Sequence, residues 1–354
     1  MPPKLLDDHV RFRFAAPADL VVSVVLDCDP VIPGSRSFTH VGDAWELALP
    51  RPDLQRIEYR FTVTRTVDGE VGEVATETIL DPDNPIRVET AFGSRSVMEM
   101  PGYAVPAWLS APAAGGGFTP IALEGETADD VPVTVWAPEG TEGQPLPLLL
   151  VNDGPEYDEL ASITQYSGAM IASGALPPHR VALAHPVLRD AWYSGSPKYL
   201  RTIAGQGIAR LNDQAPIAGP VVVMGASLGG LTALLVGLLD VEEIGGVFSQ
   251  SGSFFQTKHD DQESSYKYFG RISRRVQEVI DTREAVRPLR VGMTCGGLEE
   301  NAANNRDMAA ALGRAGHHVS LAEVPDLHNY TAWRDSLDPH LTEVLRDLWG
   351  DAQG

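Results

Sequence analysis

The chain has 354 residues, 43% of them apolar and 21% charged, so it is globular and too long for one ordinary hydrophobic core. A formal net charge of −21 at pH 7 argues against nucleic acid and anionic membrane surfaces as partners. The cysteines Cys28 and Cys295 lie too far apart in sequence to suggest a disulfide framework or a metal-ligand pattern. No stretch approaches membrane-spanning length, and the opening MPPKLLDDHVRFRF lacks the apolar core of a secretory signal, so a cytoplasmic location is expected.

From residue 10 to about 100 the pattern is β. VRFRF, LVVSVVLD, WELAL, IEYRFTVTR and VATETIL alternate or are β-branched, with loops rich in Pro, Asp and Gly between them. That spacing predicts a small antiparallel sandwich over residues 1–102. The following YAVPAWLSAPAAGGGFTP is dense in Pro, Gly and Ala and reads as a linker over 103–118. Beyond it, over 119–354, short apolar strands alternate with helical stretches. The strands are PLPLLLV, RVALAH, GPVVVMG, GGVFSQ, LRVGMTCG and VSLAEVP; the helices fall near 157–174, 199–213, 228–239, 263–283, 301–316 and 329–349. Such alternation specifies a mostly parallel sheet covered by helices on both faces, an α/β fold. TPIALEG and VPVTVWAP read as an antiparallel hairpin at its edge.

One strand–helix junction carries chemistry. VVVMGASLGGLTALLVGLL places Ser227 in G225-A-S-L-G229, between a buried strand and a leucine-rich helix. A turn that tight excludes side chains two residues before and after the serine and holds its hydroxyl exposed at the carboxyl edge of the sheet. A serine hydroxyl needs a base to take its proton and a third group to orient that base. Of nine histidines, His328 follows a strand and precedes a helix late in the chain, where the base of an α/β-hydrolase stands. His317 and His318 lead into a strand, and the others fall before the serine, soon after it, or beside the last helix. The acid should follow the preceding strand, where LRVGMTCGGLEEN offers Glu299, with Glu300 as its neighbour and alternative; Asp326 lies on the wrong loop. Leu228, opening the helix, supplies one backbone donor for an oxyanion. Gly154 in NDGPEYDEL is the candidate for the second, although an ordinary Asp-Gly turn would read the same way.

These residues resemble the enterochelin esterase family, the ferric-siderophore esterases among the esterase-D-like α/β-hydrolases. The resemblance covers nearly the whole chain. It includes DPDNPIRVETAFGSRSVMEMPGY at the end of the β region, NDG, RDAWYSGSPKYLRTI, GASLGG, SQSGSFF, GGLEENAANNRDMAAAL and DLHNYTAWRDSL. It implies an immunoglobulin-like sandwich joined to a hydrolase domain, and a serine carboxylesterase using Ser227, His328 and Glu299 without metal or organic cofactor. Arg189, Trp333 and Arg334 occupy the positions that would meet substrate, and the partner would be a small-molecule ester such as a siderophore. The sequence departs from the family's pattern where PDLHN replaces Gly-Gly-His-Asp and SFF replaces SFWW. The same triad would serve an acyltransferase or an acyl-sugar or thioester hydrolase, and the scaffold could instead bind a glycan without catalysis. Oligomeric state is not encoded in any readable pattern.

Overall fold

The computed structural model describes residues 1–17, 19–67 and 73–350. The chain divides into two compact units, one of Met1–Ala104 with Pro325–Leu327, the other of Val105–Val324 with His328–Gly354.

The first unit is all β. One sheet runs Lys4–Leu5, His9–Ala15, Ala44–Pro50, Thr39–Val41; the other runs Val21–Cys28, Arg56–Thr66, Arg95–Glu99, Arg87–Val88, with Val74–Ile79 also on Arg56–Thr66. Every pairing is antiparallel. Alternate residues such as Val10, Phe12 and Phe14 turn inward, as the two-residue repeat of a half-buried strand requires. Phe12 meets Tyr59 edge-on at 4.9 Å. The Tyr59 hydroxyl donates to Asp81 at 2.7 Å and accepts from Asn84 at 2.9 Å, so the DPDN segment is buried polar structure with its hydrogen bonds made. Pro325–Leu327 belongs to this unit for equally plain reasons. The Gln55 N–H donates to the Pro325 carbonyl at 2.7 Å, buried Arg56 pairs with Asp326 at 3.2 Å and Glu58 at 2.9 Å, and Leu327 joins the apolar core. Asp326 is therefore committed to Arg56.

The second unit is an α/β-hydrolase built on one eight-stranded sheet. Its spatial order is Gly116–Leu123, Val131–Pro138, Arg180–Ala184, Leu148–Val151, Val221–Ala226, Ile244–Gln250, Arg290–Gly296, His318–Val324. Gly116–Leu123 and Val131–Pro138 form the antiparallel edge, and the six remaining strands are parallel. The central strands LLLV, RVALA and VVVMGA are buried at every residue because helices cover both faces. Strand order reverses beside Leu148–Val151: its successor in sequence lies on one side and Val221–Ala226 on the other. Loops leaving the carboxyl ends at such a switch point open a crevice. The loops there begin at Asn152 and Ser227.

Several sequence expectations change. The helix over 157–174 is two helices, Gly154–Ala161 and Ile163–Ala172, separated by Ser162 at φ 54°. That over 329–349 is interrupted around Pro339, which cannot donate a helical hydrogen bond. More consequentially, the stretch expected as a contact-poor linker, 103–118, is anchored by specific contacts, although most of its residues are exposed. Trp108 is 5% exposed and stands edge-on to Tyr166 at 5.5 Å in the second unit's core. The Gln165 side chain donates to the carbonyls of Trp108 and Ala111, the Ala114 N–H bonds Gly168 C=O at 2.9 Å, and the edge strand already starts at Gly116. One indole outweighs a dozen small residues in buried area, which average composition conceals. Trp108→Ala should therefore cost about 3–5 kcal/mol of stability, as large core truncations do. Denaturant titration reads it, and a loss within about 0.5 kcal/mol, the range of an ordinary surface change, would return the segment to linker status.

Candidate active site

Val221–Ala226 delivers Ser227, and helix Leu228–Gly237 leaves from it at once. Ser227 has φ 55° and ψ −124°, a backbone that a non-glycine residue keeps only when its surroundings impose it. They do so at three points. The Ser227 N–H donates to Gln250 C=O at 2.9 Å, and the Ser227 carbonyl accepts from the N–H groups of Ser253 at 3.0 Å and Leu231 at 3.1 Å. A Cβ on Gly225 would stand 2.5 Å from the backbone of Gly229. One on Gly229 would stand 3.2 Å from the Asp153 carboxylate. Gly225 is thus required by close approach to backbone, while a methyl at Gly229 would press on the Asp153 side chain. The Ser227 hydroxyl lies 3.3 Å from that of Ser253.

The neighbouring turn is bolted to this one. The Asn152 N–H and side-chain amide both donate to Met224 C=O, at 2.9 and 3.0 Å. Asp153 follows at φ 53°, with its N–H on the Tyr193 hydroxyl at 3.0 Å. Gly154 then opens helix Gly154–Ala161, and a Cβ there would be 2.3 Å from Leu183 Cα. Leu228 and Gly154 each begin a helix, where backbone N–H groups have no partner within the helix. Burial pushes the Asp153 carboxyl pKa up, while the Arg189 guanidinium, bonded to both its oxygens at 2.8 Å, pulls it down. Burial also works against the Arg189 charge, but Asp153 outweighs it and the arginine's pKa rises.

Glu299 and His328 are brought together. The Glu299 Oε2–His328 Nδ1 distance is 3.0 Å, with Glu299 6% exposed and the His328 side chain 31% exposed. The other carboxylate oxygen, Oε1, accepts from the Ser251 hydroxyl and the Gly296 N–H, both at 2.8 Å. Glu300 is exposed. Behind the pair, Cys295 is a buried free thiol whose pKa is pushed up by burial and by Glu299. Asn329 caps the following helix, accepting from the Ala332 N–H at 2.9 Å.

The three residues expected to meet substrate are otherwise engaged. Trp333 is buried, with its indole N–H on the Ser251 hydroxyl at 3.1 Å and its ring edge-on to His328 at 5.1 Å. Arg189 grips Asp153, and Arg334 pairs with Asp335 at 2.7 Å. Sequence reasoning did not assign roles to Gln250, Ser251 and Ser253, although S249-Q-S-G-S253 is a polar run at the carboxyl end of the buried strand Ile244–Gln250. All its side chains are buried, and such groups need partners, which was the available signal. Gln250 is the hub: its amide accepts from the Tyr157 hydroxyl at 2.9 Å and donates to Trp333 C=O at 3.0 Å, while its carbonyl holds Ser227. No group of three or more His, Cys, Asp or Glu suited to a metal occurs among the described residues. None of the described helices is long and apolar enough to cross a membrane.

Fold and residue placement define an α/β-hydrolase. The chain belongs to the Esterase family, whose model, described as "Putative esterase", matches residues 125–344, and it is a carboxylic ester hydrolase. Its fold is that of ferric enterobactin esterase from Salmonella typhimurium, 18% identical, with 98% of this chain and 96% of that one covered at a TM-score of 0.77. Enterochelin esterase from Shigella flexneri is similar over 98% and 95% of the two chains, at 20% identity and a TM-score of 0.74. S-formylglutathione hydrolase from Staphylococcus aureus matches 66% of this chain and 98% of its own, at 16% identity and 0.51. Among curated protein sequences none matches. The architecture recognised from the sequence, an all-β immunoglobulin-like unit before a hydrolase, is therefore that of the enterochelin esterases.

Gly225→Ala should lower esterase activity by about 100-fold, since the added methyl must displace the backbone that aims Ser227 by a fraction of an ångström or more. Gly205→Ala, where nothing lies within 4 Å of the new carbon, is the matched control and should leave activity unchanged. Equal activities in the two variants would show that the turn tolerates a side chain.

Proposed function

We propose that this esterase works through a serine nucleophile and a Ser227–His328–Glu299 triad. The observation that carries the reading is the buried Glu299 carboxylate 3.0 Å from His328 Nδ1, on the sheet edge that presents Ser227 in its strained turn. The Ser227 hydroxyl attacks the ester carbonyl while His328 Nε2 takes its proton. Glu299 fixes the imidazole tautomer and stabilises the imidazolium. The backbone N–H groups of Leu228 and Gly154 receive the oxyanion. The imidazolium returns its proton to the leaving alcohol, and water, activated by the same histidine, releases the acid from Ser227. No step asks for a metal or an organic cofactor. Two free cysteines are compatible with work in the cytoplasm.

For substrate class we propose a siderophore ester of the enterochelin type. Support comes from the enterochelin esterase fold, shared across both units over 98% of this chain. Charge refines the reading. Arg189, Arg201 and Arg334 are paired with Asp153, Glu126 and Asp335, in a chain of net charge −21, so a multiply anionic ferric complex finds little uncompensated positive charge. The iron-free ester is the better substrate on that account.

Ser227→Ala should abolish fluorophosphonate labelling and lower turnover about 10⁴-fold or more. Glu299→Gln should lower kcat about 10²–10⁴-fold, because an amide cannot hold the imidazolium, while Glu300→Gln stays near wild type. A larger effect at Glu300 would move the acid to that residue. In a panel of ferric and iron-free siderophores, acyl sugars, thioesters and short acyl esters, iron-free siderophore esters should show the highest kcat/KM. Preference for a thioester or an acyl sugar would overturn the substrate class, and preference for the ferric complex would overturn the charge argument.

A further inference from the structure

We propose that Ser251 is a positioning residue for the catalytic carboxylate, linking the Trp333 indole to Glu299 and so fixing the orientation of His328. This rests on the triad reading above. Ser251 is the first residue after strand Ile244–Gln250, stands at φ 47°, and is 1% exposed. Its N–H donates to Thr294 C=O at 2.7 Å, which fixes the backbone in that left-handed conformation. Such a conformation is sparsely populated for any residue with a Cβ, and glycine would adopt it freely. A hydroxyl-bearing residue here needs a reason, and the side-chain contacts supply one.

The chemistry of the partners sets the direction of every hydrogen. An indole N–H can only donate, and an ionised carboxylate can only accept. Trp333 Nε1 therefore donates to Ser251 Oγ at 3.1 Å, and Ser251 Oγ donates its single proton to Glu299 Oε1 at 2.8 Å. Oε1 also takes the Gly296 N–H at 2.8 Å, while Oε2 meets the imidazole at 3.0 Å and the Cys295 thiol at 3.7 Å. Two donors on one oxygen fix the plane of the carboxylate, because tilting it away would break both bonds. Donation from the indole polarises the hydroxyl and strengthens its bond to the carboxylate. Trp333 also packs edge-on against the His328 ring, an aromatic contact that phenylalanine at 333 can keep while it removes the N–H donor.

The test uses the full-length protein with a small activated acyl ester, in four variants: Ser251→Ala, Ser251→Gly, Trp333→Phe and the Ser251→Ala/Trp333→Phe double. Ser251→Ala should lower kcat about 10–100-fold with KM within about twofold, as expected for an interaction realised at the transition state. Ser251→Gly should lose as much, although it relieves the backbone. Trp333→Phe keeps an aromatic ring and should lose about 3–10-fold, and the double variant should be no worse than Ser251→Ala, since both changes act through one hydroxyl. The downfield proton resonance of the His328 Nδ1–H should broaden or shift in all four. Recovery of kcat in Ser251→Gly would show that only backbone strain mattered. Additive losses in the double variant would show that the indole acts on His328 directly. Wild-type kcat in Ser251→Ala would reduce the hydroxyl to packing, and fluorophosphonate labelling of Ser251 itself would make it the nucleophile. Ser227→Ala, assayed alongside, separates these outcomes from failure of the triad. If Ser251→Ala does not fold, Trp333→Phe still decides: unchanged kcat and an unchanged resonance overturn the proposal.

Discussion

A buried carboxylate is expensive, and at Glu299 the expense is met by the Cys295 thiol at 3.7 Å and by three stronger donors of different origin. Moving an ionised carboxyl from water into a protein interior costs several kcal/mol unless hydrogen bonds replace its hydration. Gly296 contributes a backbone N–H from the turn that Glu299 itself helps to form, Ser251 a hydroxyl from the next strand, and His328 an imidazole N–H. Together they fix the plane of the carboxylate and keep one of its oxygens on the histidine. The strand termini must therefore keep register, because the donors arrive from loops after Ile244–Gln250, Arg290–Gly296 and His318–Val324. A shift of one residue in any of these strands would leave a charged group buried without its partners.

The nucleophile side depends on close packing. Gly225 against Gly229, Gly154 against Leu183, and Asn152 against Met224 bring two strand–helix turns together with no room for a Cβ at either key contact. Gln250 joins this half to the other. Its carbonyl accepts from Ser227, and its side-chain amide donates to the carbonyl of Trp333, which touches His328. One buried amide thus spans the distance between the serine turn and the histidine helix. The Gln250 amide is satisfied at both ends, by the Tyr157 hydroxyl on its oxygen and by Trp333 and Ser336 on its nitrogen, and such a link rigidifies what it connects.

Periodicity and order were enough to read the α/β alternation, the antiparallel edge pair, and the serine in its turn. The reason is physical: G225-A-S-L-G229 is a local constraint, fully expressed by residues within one turn of each other. His328 and Glu299 were legible because position after a strand is also local. Trp108 was not, since its burial depends on Tyr166 and Gln165, distant in sequence, and the surrounding Pro, Ala and Gly hide it. Ser251 and Gln250 were quoted in a motif but had no role, because their meaning lies in partners at Glu299 and Trp333 that only the folded sheet brings near. The ion pairs of Arg189 and Arg334 were illegible for the same reason. A positive charge is visible in sequence, whereas the carboxylate that cancels it is not.

That cancellation has a use at Arg189. Asp153 immediately precedes Gly154, a proposed oxyanion donor, and is almost wholly buried. An unopposed carboxylate there would raise the energy of a developing negative charge nearby, since interior charges are poorly screened. The guanidinium meets both Asp153 oxygens at 2.8 Å and also stands over the Tyr193 ring, whose hydroxyl holds the Asp153 N–H. The fork thus neutralises the turn and fixes its left-handed backbone at once. The Arg189 charge is thereby compensated within the turn by Asp153, beside Gly154.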